Sequence, residues 1–159
     1  MKFIPNLRRP LLVAALALLT TAGVAQGHAE VEDSGFKRKT VGTVKVHIQH
    51  GCSAENTKAG AVDRVVVLVP KAFPSAKPKR TKGWHATVKR TSEGRRLEWH
   101  RMDRTSTAKN FRISVRFPAK AGVYGLPTVQ YCGASSIAWI EKAVGGEEPE
   151  YPLPTVTVK

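Results

Sequence analysis

Apolar and polar residues alternate with a period of two along much of the chain after residue 27, the pattern of strands that bury one face. Over residues 43–49, Val44, Val46 and Ile48 alternate with Thr43, Lys45, His47 and Gln49. Over 111–117, Phe111, Ile113, Val115 and Phe117 share one face, and Arg112, Ser114 and Arg116 the other. Within 63–69 the run from Val65 to Val69 is apolar throughout and stops at Pro70, which predicts a central strand. Further strands are predicted over 84–89, 96–101, 126–131, 137–141 and 155–158, with loops over 53–60, 74–83 and 145–154. No stretch after residue 27 sustains a helical period with caps. The expected fold is therefore all-β, a two-sheet sandwich with one core and no second domain.

The first 27 residues follow a different rule. Met1, Lys2, Arg8 and Arg9 precede an uncharged apolar run from Leu11 to Leu19, and small residues follow it up to Gly27. This is the order of a cleavable secretory signal, and the run is short of the roughly 20 apolar residues a membrane span needs. The expected organisation is a signal helix over 1–27 and a domain over 28–159, exported to the periplasm or cell surface. Cleavage fits two places, after Ala25 or after Gly27, and only the second makes His28 the new amino terminus.

Removal of the signal takes away Lys2, Arg8 and Arg9 and no acid, so the formal charge of +14 falls to +11. Such a balance often marks nucleic-acid binding, but export makes an anionic surface or polymer of the envelope the better partner, and no nucleic acid is expected. Cys52 and Cys132 are the two cysteines of the chain. In an exported protein they are expected to form a disulfide, and their wide separation matches no zinc spacing.

An N-terminal histidine can chelate one metal ion through its α-amine and its imidazole Nδ1 without help from the fold. Such a brace suits Cu(II), which accepts nitrogen donors in a tetragonal plane. The α-amine titrates near pH 8, so its proton is displaced at little cost in neutral solution. His47, His50, His85 and His100 show no zinc-motif spacing, and each reads as a surface or turn residue. There is no nucleophile elbow, phosphate loop or His-Glu-x-x-His motif, and a disulfide would disarm Cys52 as a nucleophile. The chain is expected not to be an enzyme.

The order of landmarks resembles the YcnI-like copper-binding domain of bacterial exported proteins. These landmarks are His28-Ala29-Glu30-Val31-Glu32 directly after the signal, then His50-Gly51-Cys52, Val69-Pro70, Lys82-Gly83-Trp84 and Glu98-Trp99. They continue with Phe111 to Pro118, Gly125-Leu126-Pro127 leading into Gln130-Tyr131-Cys132, Ala138-Trp139, and the closing Pro152 to Val158. The resemblance implies an immunoglobulin-like β-sandwich that binds copper, Cu(II), through a one-histidine brace. A glutamate and a tryptophan complete the site, and the role is an accessory one in copper trafficking. His28 matches the brace and Trp139 the tryptophan.

The glutamate does not carry over: where the pattern reads acid, Glu, Phe, this chain reads Lys109-Asn110-Phe111. Asn110 offers a neutral carbonyl oxygen in place of an anion. Glu30 and Glu32 share a face with His28 if that segment is extended, and are the substitutes expected from sequence. The implied partners are copper-trafficking proteins of the cell envelope, and the protein is expected to be a monomer or weak dimer. Two other readings follow from the same residues. One is a sandwich without a working metal site that docks an anionic envelope partner through its basic surface. The other is a copper oxygenase, which would need a second histidine from His85 or His100.

Overall fold

The computed structural model describes residues 28–32, 35–52, 62–147 and 149–159. The expected signal segment 1–27, the expected loop 53–60 and Glu148 lie outside the described residues. Strands form where side-chain alternation lets one face leave water, and among the described residues no helix forms.

In chain order the strands are β1 (Ala29–Val31), β2 (Val41–Ile48), β3 (Arg64–Pro70), β4 (Ser75–Pro78), β5 (Trp84–Arg90) and β6 (Gly94–Arg101). They continue as β7 (Asn110–Arg116), β8 (Gly122–Gly125), β9 (Thr128–Cys132), β10 (Ser135–Trp139) and β11 (Thr155–Val158). A four-stranded sheet has the order β1-β2-β7-β4, and a five-stranded sheet the order β10-β9-β3-β6-β5. All pairings within both are antiparallel.

The two inner faces bury one core. Val44, Val46, Ile48, Phe111, Ile113 and Val115 from the first sheet join Val65, Val67, Val69, Leu97, Trp99 and Trp139 from the second in a single cluster. Fully burying a side chain of this size contributes about 1.5–3 kcal/mol each before conformational entropy is counted. The all-β sandwich expected from the alternation is the fold.

Three details depart from the sequence reading. The expected loop 74–83 contains β4, an edge strand on β7 whose Lys77 faces water and whose Pro78 is tolerated because the strand is paired on one side only. β8 was not foreseen, and it pairs with β11 as a separate two-stranded ribbon, so the last strand joins neither large sheet. The strand expected over 137–141 starts earlier, at Ser135, and ends at Trp139.

Candidate metal centre

The site is built at the end of the first sheet where β1 meets β2. The ladder pairs Ala29 with Ile48 and Glu30 with His47, and His28 and His50 lie just beyond that end of it. Ala29 and Ile48 point into the core, both almost fully buried. Beyond Ile48 the chain leaves the ladder, and Cys52 is tied to Cys132 at the end of β9 with a Cα–Cα distance of 5.9 Å. That bond joins the two sheets beside His50. It closes a loop of 80 residues, worth on the order of 4 kcal/mol in the chain-entropy account. A stable disulfide is the chemistry of an oxidising, non-cytoplasmic compartment, which is compatible with export.

Trp139 comes from the five-stranded sheet. Its pairing with Thr128 places it on the inner face, and it is 2% exposed. Three rings surround it edge-on. The His28 ring lies 6.0 Å from its ring centre, His50 6.3 Å and Tyr151 5.8 Å. Its indole Nε1 donates to Gln130 Oε1 at 2.9 Å, and Gln130 Nε2 donates to the His50 carbonyl at 3.0 Å. Gln130 is fully buried. One amide thus satisfies the buried indole N–H and ties it to the His50 backbone, which fixes the segment carrying His50 relative to the indole.

The His50 ring is oriented locally. Its Nδ1 lies 2.5 Å from the Gly51 carbonyl oxygen. A carbonyl can only accept, so Nδ1 carries the proton and the metal-binding lone pair of the neutral ring is on Nε2. Beside His50 a cleft of about 400 Å³ is lined by Ile48, Val62, Trp84 and Phe111 together with Arg101, Arg104 and Lys109. Tyr151 keeps its phenol protonated above the usual range, chiefly through its hydrogen bond to Glu150 and then through that carboxylate's charge.

The structure brings His28 and Trp139 together, as the resemblance implies. The other residues expected at the site are engaged around it. Glu30 lines a shallow cleft with His28 and the 152–155 segment, and its carboxylate accepts from Gln49 Nε2 at 3.0 Å. Glu32 forms an ion pair with Lys45. Asn110 stands opposite His47 in the β2–β7 ladder, on the outer face, where its Oδ1 accepts from His47 Nδ1 at 2.7 Å. His85 and His100 face each other across β5 and β6 on the outer face of the second sheet, the opposite side from Trp139. There His100 Nε2 lies 2.9 Å from the Glu98 carboxylate.

Sequence reasoning passed over His50 and Gln130. His50 continues the inward parity of Val44, Val46 and Ile48, and Gln130 is a polar residue on the inward parity of Thr128 and Cys132. Both signals were present in the alternation.

Among the described residues no group of three or more His, Cys, Asp or Glu side chains forms a ready-made metal cage. The donors beside the common indole are instead the imidazole nitrogens of His28 and His50, which the expected cut after Gly27 would join with an α-amine. That set fits Cu(II), for which amine and imidazole are good ligands, and does not fit the hard, oxygen-seeking Ca(II) or Mg(II).

No curated protein matches the chain. A crystal structure of an uncharacterized protein from Nocardia farcinica, described as having an immunoglobulin-like fold, superimposes with a TM-score of 0.65 at 22% identity, covering 82% of this chain and 97% of that one. The sandwich is thus immunoglobulin-like. Residues 28–158 match the family described as "Domain of unknown function (DUF1775)", and with nearly all of the region after the expected signal inside that match, the chain belongs to this family.

Proposed function

We propose that the protein, once cut after Gly27, is an exported Cu(II)-binding protein with an accessory role in copper trafficking, and that the α-amine and Nδ1 of His28 hold the metal beside Trp139. The observation that carries this reading is the contact between His28 and the buried indole of Trp139. The similarity of the sequence landmarks to YcnI-like domains supports it. The indole limits water on one side of the metal and restrains the imidazole. The amine loses its proton to solvent as the metal binds. The role is carriage of the ion, not turnover, and exchange with trafficking proteins of the envelope requires a site open on its other side.

The test begins with the mass of the secreted amino terminus, which is expected to begin at His28; a start at Gln26 removes the brace. Titration of Cu(II) into that material, alongside a His28→Ala variant, is expected to give one saturable site that the variant loses. Equal binding by both refutes the reading.

A second reading rests on the outer face of the first sheet. Lys45 pairs with Arg112 across the ladder, and Lys77 and Arg116 are exposed on the same sheet, with Lys79 donating to Thr43 Oγ1 at 3.1 Å just beyond β4. This cationic face suits an anionic polymer or headgroup of the envelope. Sedimentation with anionic vesicles that weakens steeply with salt would favour it, and equal sedimentation with neutral vesicles would exclude it.

A further inference from the structure

Resting on the proposed copper site, we infer that His50 is its second imidazole ligand. Asn110 is turned to the outer face and committed to His47, and Glu32 is committed to Lys45. His50 stands against the same indole as His28, at 6.3 Å and 6.0 Å from its ring centre. His28 and His50 both lie just beyond the end of the β1–β2 ladder at Ala29 and Ile48. The ring carries its proton on Nδ1 because it faces the Gly51 carbonyl, so Nε2 is the donor atom. A backbone carbonyl on the remote nitrogen is the usual means by which a protein orients a ligating imidazole and raises its basicity.

Two further restraints reduce the reorganisation needed. Gln130 holds the His50 carbonyl, and the disulfide anchors the chain two residues on. The resulting set is an amine and two imidazoles, three nitrogen donors of the kind a tetragonal Cu(II) accepts. The second histidine comes from the end of β2, and not from His85 or His100, which lie on the far face of the other sheet.

The experiment uses secreted protein beginning at His28, loaded with one equivalent of Cu(II). Pulsed EPR, which counts coordinated imidazoles through their remote nitrogens, is expected to report two in the wild type and one in His50→Ala. Copper affinity in His50→Ala is expected to fall at least about tenfold, comparable to or beyond the loss of a supporting group. His47→Ala, on the outer face, is expected to retain both imidazoles. One imidazole in the wild type overturns the inference even if the variant fails to fold. If His28→Ala abolishes binding while His50→Ala leaves affinity and imidazole count unchanged, the inference falls and the brace reading stands. No saturable site in the wild type removes both.

Discussion

Gln130 offers the sharpest test of how the site is held. Replacement by leucine keeps nearly the same volume on the inner face and removes both hydrogen bonds. The Trp139 Nε1–H, 2% exposed, and the His50 carbonyl then have no acceptor or donor in Gln130. Leaving the buried indole N–H unsatisfied costs about 1–3 kcal/mol, so Gln130→Leu is expected to destabilise the protein by about 1–3 kcal/mol. For a domain of this size that lowers Tm by roughly 3–12 °C. The assay is urea and thermal unfolding with the disulfide intact. The double variant separates hydrogen bonding from packing: Trp139→Phe removes the orphaned N–H, so in the Gln130→Leu background it should cost about 1–3 kcal/mol less than in the wild type. A Gln130→Leu change within about 0.5 kcal/mol of wild type, or strict additivity of the two, would refute the reasoning.

Further outcomes follow from other parts of the molecule. Replacing Cys52 and Cys132 together by alanine is expected to cost on the order of 4 kcal/mol, read by the urea midpoint, and an unchanged midpoint would contradict the closure of the 80-residue loop. Gly94→Ala is expected to cost about 2–4 kcal/mol, since a Cβ there would meet the Val69 carbonyl oxygen at 2.1 Å with φ at 158°; near-neutral stability would show that this turn relaxes freely. Glu98→Ala leaves Arg64, Arg96 and His100 facing one another without the carboxylate they share. The expected loss is about 1–2 kcal/mol, reduced at 1 M salt because both arginines are over a third exposed, and a salt-independent loss would point to packing instead. Finally, a nitrogen-only copper site beside the cleft of Arg101, Arg104 and Lys109 should bind Cu(II) more tightly as perchlorate is raised. A cation at roughly 10 Å from a doubly charged ion costs on the order of 1 kcal/mol in water, and that repulsion is screened within a Debye length of about 10 Å at 0.1 M. Weakening with salt would instead indicate an anionic ligand.

Much of the sandwich was legible from alternation because burial of one face is a local, period-two property. Val44, Val46 and Ile48, and Phe111, Ile113, Val115 and Phe117, announce their strands and their inward sides. The central position of β3 was readable in its unbroken apolar run, and the cysteine pair in its number and expected compartment. The edge strands were hidden. β4 and β8 bury little, and Lys77, Pro78, Val123 and Tyr124 carry no alternation strong enough to report a pairing on one side only.

The candidate site divides along the same line. Its chemistry, an amine and imidazole at His28 and an indole at Trp139, resides in residue types and in the place of the expected cut, which a sequence states directly. Which side chains meet there depends on register between strands distant in the chain. The pairing of β2 with β7 turns Asn110 outward to His47, and the pairing of β9 with β10 sets Gln130 between Trp139 and His50. A shift of one residue in either ladder would exchange inner and outer faces. The sequence alone therefore determined the sandwich and the disulfide, and nominated His28 and Trp139 as candidates. Tertiary structure decided that His50, and neither Asn110 nor His100, stands against the indole with His28, because only non-local hydrogen bonding selects the register.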